Sequence, residues 1–432
     1  MNIPQSDLPR VIVVGGGFGG VTLSRKLTKQ NFQVVLIDRH NYHNFQPLMY
    51  QVATSGLEPD SIAFPLRGLV EDRKNFIFRL AQVEAVEPVM KTLHTSIGEV
   101  AYDYLVIATG TKTNFFGNKN LEEASLQMKS VPQALNIRSY MLQNLEKATL
   151  TNDIEERKKL MRIVLSGAGP TGVELAGAFS EFKRGVLQND YPDLNPDHME
   201  IHLLDGSDRV LASMSKKASQ KAEKYLRKLG VQIHLNVLVN NYENDTVLTN
   251  TDLKMEAFTF IWSAGVIGNP IKGLREESVD ERSQRFLVDK MNRVEGYEDI
   301  FAIGDIALMK TSEFPKGHPQ VAQPAIQQGL LLIKNFKRIQ QGTALKEFSY
   351  FDKGSMATIG RNKAVADVKS FTLGGFLAWI TWLAVHLYFL VGVRNRLVVF
   401  LNWIYNYFNF DRAARVIIRP YQKKNTNTQL KE

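Results

Sequence analysis

An α/β fold with two Rossmann-like dinucleotide-binding domains, followed by C-terminal membrane-anchoring helices, is predicted by three observations. Two glycine fingerprints lie far apart in the chain, each is followed at nearly the same distance by a second small-residue turn, and the C-terminal region is strongly apolar. The first fingerprint, RVIVVGGGFGGV from Arg10, places Gly15, Gly17 and Gly20 in GxGxxG register, with Gly19 inside it. The second, RIVLSGAGPTGVELAG from Arg162, places Gly167, Gly169 and Gly172 in the same register. Each follows a short apolar run suited to a buried strand and opens onto a helix-compatible segment, the context that gives the pattern meaning. The first glycine makes the tight turn, the second lets the backbone approach a pyrophosphate, and the third packs helix against strand. The helix N-terminus then offers unpaired N–H groups to the phosphates.

The downstream turns repeat as well. YDYLVIATG ends in Thr109 and Gly110, and FTFIWSAG ends in Gly265. Matching parts at matching spacing argue for two copies of one nucleotide-binding unit rather than a chance glycine loop. The first domain is expected over residues 1–115 and again over 280–345, because RFLVDKMNRVEGYEDIFAIGD reads as a strand pair returning to complete it at Gly304 and Asp305. Residues 116–279 form the second domain and 346–432 the C-terminal one. Ser125 to Lys159 reads as helical.

Composition narrows the chemistry. With 432 residues, 44% hydrophobic and 22% charged, the chain can bury two or three ordinary cores. A net charge of +9 favours anionic partners, yet no basic stretch interleaved with aromatics suggests nucleic acid. The absence of cysteine excludes disulfides, thiolate zinc sites and iron–sulfur clusters, and no metal ligand set stands out. It also removes any dithiol relay, so electrons on a flavin would have to leave it directly. No signal-like arm precedes Val11, which predicts that the bulk of the chain stays in the cytoplasm.

From Gly374, GGFLAWITWLAVHLYFLVG carries no Asp, Glu, Lys or Arg through Gly392, and LVVFLNWIYNYFNF then runs to Phe410. The first run approaches the roughly 20 residues that a spanning helix needs. A buried core helix, a spanning helix and a helix lying in the interface all stay open. Trp379, Trp382, Trp403, Tyr405 and Tyr407, flanked by Arg394, Arg396, Arg412, Arg415 and Arg419, favour the interfacial anchor. A single span would carry the basic tail to the far side. His386 reads as packed or interfacial rather than as a ligand.

Carboxylates close the strands after both fingerprints. Asp38 ends QVVLID and Asp205 ends IHLLD, where each can accept hydrogen bonds from an adenosine ribose, or serve as a plain turn residue. The charge of Asp205 would repel a ribose 2′-phosphate and so favour NADH over NADPH, with Arg209 softening that preference. Its long separation from Gly167 implies an extended crossover after Glu174. Asp305, in IFAIGDIA, sits between a strand and the glutamine-rich AQPAIQQG. A helix starting near Gln323 would aim the positive end of its dipole at a flavin pyrimidine edge.

With NFQPLMYQVATSGL at Asn44, IATG at Ile107 and HLYFLVGVRNR at His386, the chain resembles the bacterial type II NADH:quinone oxidoreductases, single-subunit respiratory NADH dehydrogenases that do not pump protons. The resemblance covers nearly the whole chain, and the AQxAxQ pattern at Ala322 with the C-terminal signature narrows it. It implies non-covalent FAD at Gly15, Gly17, Gly19, Gly20, Asp38, Val83, Thr109, Gly110, Gly304 and Asp305, with Pro47 near the isoalloxazine. NADH is implied at Gly167, Gly169, Thr171, Gly172, Asp205 and Gly265. Glu174 matches a carboxylate at the nicotinamide–quinone junction, while a first-turn acid complementing the helix dipole stays open. Gln323 and Gln327 share a helix face and match amides that hydrogen-bond a menaquinone or ubiquinone, a solvated surface being the alternative.

The resemblance further implies an anionic lipid surface and a second copy in a homodimer as partners. It places the protein peripherally on the cytoplasmic face of the plasma (inner) membrane. Two other readings are a soluble FAD-dependent NAD(P)H reductase serving a redox protein, and a non-enzymatic NADH-sensing flavoprotein. Sulfide:quinone oxidoreductases, on a related scaffold, rely on cysteines that this chain lacks.

Overall fold

The computed structural model describes residues 1–70, 74–368, 371–409 and 414–423. It divides into two compact units, one of Met1–Asn44, Ala63–Lys112 and Val266–Asp352, the other of Phe45–Ile62, Thr113–Gly265 and Lys353–Glu432.

The first unit is built on a five-stranded sheet in the order Ile300–Ala302, Tyr104–Ile107, Arg10–Val14, Gln33–Asp38 and Phe76–Leu80. All of its pairings are parallel. The strands read as continuous apolar runs because both faces are covered. Ile12, Val14, Val35 and Ile37 enter one buried cluster, while the alternate residues Val11, Val13, Val34 and Leu36 enter the other. The last strand comes from far along the chain: Ile300–Ala302 pairs with Tyr104–Ile107 at the sheet edge. Arg285–Leu287 does not join it and lies in a separate small sheet with Val279–Asp280 and Ala307–Leu308. The strand pair expected over this stretch is thus reduced to the isolated bridges Val288↔Val294 and Arg293↔Phe301.

The second unit repeats this plan. Its parallel sheet runs Leu126–Gln127, Thr259–Trp262, Ile163–Ser166, Ile201–Asp205 and Gln232–Leu235. In both units a three-stranded antiparallel meander precedes a central parallel strand, Val83–Ala101 before Tyr104 and Val239–Glu256 before Thr259. The crossover after the second fingerprint is extended, as its spacing implied. Helix Pro170–Phe182 runs on through a π-helical turn, Lys183–Leu187, before the chain reaches Ile201.

Ser125 to Lys159 is not one helix. A strand at Leu126–Gln127 precedes helices Val131–Leu150 and Ile154–Met161. Pro132 suits a helix start, and Asp153 starts the next by accepting from the N–H groups of Glu155 and Glu156.

Beyond Lys353 the second unit holds an antiparallel sheet of Ser355–Thr358, Ala364–Val368 and Phe371–Gly375, then helices Phe376–Phe389 and Val393–Asn409. The apolar run is broken where Leu390 turns extended and Gly392 takes φ +90°. Among the described residues no helix is long and apolar enough to cross a membrane. Phe410 and Arg412 lie outside the described residues.

Helix and strand approach so closely at each fingerprint that only glycine fits. A Cβ on Gly172 would stand 1.9 Å from the Gly167 carbonyl oxygen, and one on Gly20 just as close to that of Gly15. Gly172→Ala should lower unfolding stability by about 1–3 kcal/mol or more, read from urea denaturation. Gly169→Ala, where an added Cβ meets nothing within 4 Å, should cost less.

Candidate functional site: two glycine-lined cradles

In the first unit Gly15 turns the chain at φ +110°, and helix Phe18–Leu27 begins directly after Gly17. No side chain caps that helix and no acid occupies its first turn, so the positive end of its dipole suits an anionic ligand. A Cβ on Gly17 would meet only open space. Asp38 holds the loop in this shape: one carboxylate oxygen accepts the Gly16 N–H at 2.6 Å, the other the His40 N–H at 2.7 Å.

The parallel strands bring Thr109, Gly110, Gly304 and Asp305 to the same end of the sheet as Gly15 and Asp38. The Thr109 hydroxyl donates to the Asn269 carbonyl at 2.8 Å, and Thr111 donates to Asp305 at 3.4 Å. Gly19 packs against Ile303 and the Ala325 carbonyl. These residues form a cradle fitting a dinucleotide: an open second glycine, a helix start with no side-chain cap and strand-end carboxylates. Val83 opens the meander two residues beyond Ala81, whose N–H donates to the Asp38 carbonyl at 3.0 Å, and packs half-buried against the core. Pro47, expected in the first domain, occupies a short 3-10 turn, Gln46–Leu48, that clusters with the second unit.

Sequence reasoning missed what steadies this cradle. Gln328, 1% exposed, accepts the Gly304 N–H at 2.7 Å, and Gln320 donates to the Asp305 carbonyl at 3.3 Å. His43 is buried with Nδ1 2.8 Å from the Gly16 carbonyl, and burial keeps its ring pKa below the usual value. Only the run AQPAIQQG hinted at Gln328, since three glutamines crowd one helix start.

Helix Ala322–Gln340 carries the two glutamines singled out above. Gln323 is half-buried in its first turn. Gln327 is committed elsewhere: its amide donates to the Phe351 carbonyl at 2.9 Å and its oxygen accepts the Phe351 N–H at 2.9 Å. Its amide keeps a second N–H beyond this pairing, and the side chain is half-buried.

The second cradle has the same construction. Asp205 accepts the Ala168 N–H at 2.5 Å and the Ser207 N–H at 2.7 Å. Gly167 has φ +104° and Gly265 φ +98°. Ser263 ties the two turns together by donating to the Ser166 carbonyl at 2.8 Å. Thr171 lies half-buried in the first helical turn. Arg209 turns back to the Ala212 carbonyl at 2.7 Å, away from the role of offsetting Asp205.

Glu174 lies past the first turn, which contains no acid, so the dipole-complementing reading does not hold. Part of its surface is exposed, while its carboxyl is ringed by protein. That desolvation pushes its pKa up to about 8, offset only in part by the Thr358 N–H at 3.5 Å and the Trp382 indole. Trp382 is 1% exposed and stacks on His386 at 3.9 Å between ring centroids. His386 Nδ1 lies 2.7 Å from the Trp382 carbonyl, and burial pushes its pKa down to about 4. Both residues are packed, so Trp382 does not belong to a headgroup belt. Arg415 pairs with Asp190 at 2.8 Å, and exposed Arg419 donates to Asn136 at 2.9 Å.

Residues 9–329 match the family described as pyridine nucleotide-disulphide oxidoreductases, and 353–412 match the NDH2 C-terminal domain. The type II NADH:quinone oxidoreductase Ndh of Mycobacterium tuberculosis is 34% identical over 94% of this chain and 90% of its own length. This chain belongs to the type II NADH:quinone oxidoreductases. The NdhA protein of the same organism is 33% identical over 94% of this chain and 89% of its own. The structure of NDH2 from Plasmodium falciparum in complex with NADH superposes with a TM-score of 0.87, covering 95% of this chain and 100% of that one at 22% identity, a likeness of fold. This family member has no cysteine, so it lacks the disulfide in the wider family's name.

Glu174 gives a pH signature. Its folded pKa of about 8 lies above the unfolded value of about 4.3, so the fold favours the protonated acid. The stability this confers is full in acid and is lost as pH rises from about 4.3 to about 8. Thermal melts of Glu174→Gln should lack this decline, leaving the variant relatively more stable above about pH 8.

Proposed function

We propose that this chain oxidises NADH and reduces a membrane quinone as a single subunit, with FAD bound at the first cradle and NADH at the second. The observation that carries this reading is the duplication itself: two open glycine turns, each held by a strand-end carboxylate, in a chain with no cysteine. FAD, when bound, supplies the chemistry by accepting hydride from NADH and giving up two electrons. The protein's own part is binding, orientation and proton supply.

Gly15, Gly17, Gly20 and the helix N-terminus after them hold the FAD pyrophosphate, with Asp38 toward its ribose. Thr109, Gly110, Gly304 and Asp305 line the same end of the sheet. Gly167, Gly169 and Gly172 hold the NADH pyrophosphate, and Asp205 accepts from its adenosine ribose. Glu174, protonated at neutral pH, keeps a proton beside Trp382 for a reduced product. Gln323 donates to a quinone carbonyl, and Gln327 serves that site through the Phe351 backbone it clamps.

The same reading places the protein on the cytoplasmic face of the plasma membrane. Leu377, Phe400, Leu401 and Phe408 are 70%, 46%, 54% and 73% exposed on the two C-terminal helices, an apolar surface that lipid would cover. Exposed Arg394 and Arg396 suit anionic headgroups. Apolar surface not taken by lipid is available to a second copy in a homodimer. A soluble reductase leaves this surface without a use.

Purified FAD-loaded protein should oxidise NADH continuously with a soluble menaquinone analogue. Reduced flavin that persists with quinone present would instead favour an NADH sensor. Asp205→Ala should narrow the NADH-over-NADPH ratio of kcat/KM by about tenfold, the effect of removing roughly 1.4 kcal/mol of charge discrimination. Leu377→Asp with Phe400→Asp should abolish co-sedimentation with anionic vesicles while leaving thermal stability within about 0.5 kcal/mol per site.

A further inference from the structure

A strained turn at the edge of the second cradle has no part in the arrangement described so far. Phe116 takes φ +52° and Gly117 φ +81°, and the Asn118 N–H closes the turn on the Phe115 carbonyl at 2.9 Å. Left-handed geometry at both central positions is the type I′ arrangement, which selects Asn, Asp or Gly and disfavours a bulky ring. The surroundings enforce it. Asn114 Oδ1 accepts the Phe116 N–H at 2.9 Å, and Trp262 Nε1 donates to the Asn114 carbonyl at 2.8 Å. Asn118 Oδ1 then caps the next helix by accepting the Leu121 N–H at 3.0 Å. Burial does not account for the ring, because Phe116 is 70% exposed while Phe115 beside it is 8% exposed and stacks on Trp262. Beyond one edge contact with Trp262 at 6.4 Å the ring is open to solvent, and backbone strain held this firmly around an exposed side chain is the kind found at ligand sites.

Its position says which ligand. A Cβ on Gly265 would lie 3.3 Å from the tip of the Phe116 ring, so the ring covers the turn that follows strand Thr259–Trp262. The neighbouring strand Ile163–Ser166 ends in Gly167, and Ser263 bonds across to its end. Between these strands the sheet order reverses, with Ile201–Asp205 on one side of Ile163–Ser166 and Thr259–Trp262 on the other. A dinucleotide lies across such a reversal, over the carboxyl ends of the strands. Asp205 marks the adenosine side, so the Gly265 side takes the other half.

We infer that Phe116 is a specificity-determining residue for the pyridine nucleotide, its exposed ring contacting the nicotinamide half where that half crosses Gly265. The inference rests on the NADH reading above and names a residue of that site. A flat aromatic face held beside a flat nicotinamide gives contact that an aliphatic side chain does not reproduce.

The test uses the full FAD-loaded chain with Phe116→Leu, Phe116→Gly and Phe116→Tyr. Glycine suits the turn, so Phe116→Gly should melt no lower than the parent. Both Leu and Gly variants should raise the KM for NADH about fivefold to tenfold with a much smaller change in kcat, and weaken NAD+ in calorimetry by a similar factor. Binding of ADP-ribose, which lacks nicotinamide, should be unchanged, and Phe116→Tyr should restore the parental KM. Equal weakening of ADP-ribose and NAD+ would overturn the assignment. So would unchanged NADH and NAD+ binding in both variants, an outcome that would assign the ring to a docking surface. A parent protein that bound no NADH would instead sink the underlying reading of the second cradle.

Discussion

Everything this protein does depends on a carboxylate gripping the backbone of a glycine turn. In the first unit Asp38 takes the Gly16 N–H, and in the second Asp205 takes the Ala168 N–H. The second oxygen of each binds an amide two residues further on, at His40 and Ser207. An N–H in such a turn has no partner in either the sheet or the helix, and leaving it unpaired would let the loop collapse onto the helix start. The strand-end acid satisfies it from the side, which keeps the face above Gly17 and Gly169 clear. In the proposed function the same charge accepts from ribose hydroxyls and repels a 2′-phosphate.

A turn fixed this way cannot itself discriminate, because its contacts are backbone groups that any dinucleotide satisfies. Neighbouring side chains hold the paired turns in place. In the first unit Gln328 and Gln320 fix the Gly304–Asp305 turn, so the glutamine helix and the Asp305 carboxylate are set by one network. In the second, Ser263 locks the two strand ends together. The two units share an architecture and differ in the side chains that border it, which lets one fold hold a resident cofactor and a transient substrate.

Local chemistry made the cradles legible in the sequence. Glycine register, apolar runs and strand-end Asp38 and Asp205 are fixed by residues close together in the chain, so reading them needed no tertiary information. The late strand Ile300–Ala302 was legible because an apolar run there ends in the small turn Gly304–Asp305. Features with distant partners were not. Gln327 looks like an exposed amide until Phe351 is brought to it, and Arg415 looks like a lipid anchor until Asp190 arrives. Trp382 and His386 have the composition of a headgroup belt, but their mutual stacking buries them. The helix break before Asp153 was readable from its cap, and was masked by the charged run that follows. Pro47 shows the same limit, since nothing near it in sequence reveals that Phe45–Ile62 clusters with the second unit.

The C-terminal helices show how geometry overrides composition. The uncharged run is nearly long enough to span a bilayer, yet helix Phe376–Phe389 has 14 residues, about 21 Å at 1.5 Å per residue, against a hydrocarbon core of about 30 Å. The second helix is pinned at both ends within its own unit. Asn395 donates to the Asp60 carbonyl at 3.2 Å near its start, and Arg361 donates to the Asn406 and Tyr407 carbonyls at 2.7 and 2.8 Å near its end. Trp382, buried on the first helix, also reaches Glu174, where its indole favours the charged carboxylate and offsets part of the desolvation. The first helix thus packs against the acid that follows the second glycine turn. Drawing it away would hydrate that carboxyl and return its pKa toward that of an ordinary glutamate. The position of that helix and the protonation of Glu174 are, in this unit, consequences of the same packing.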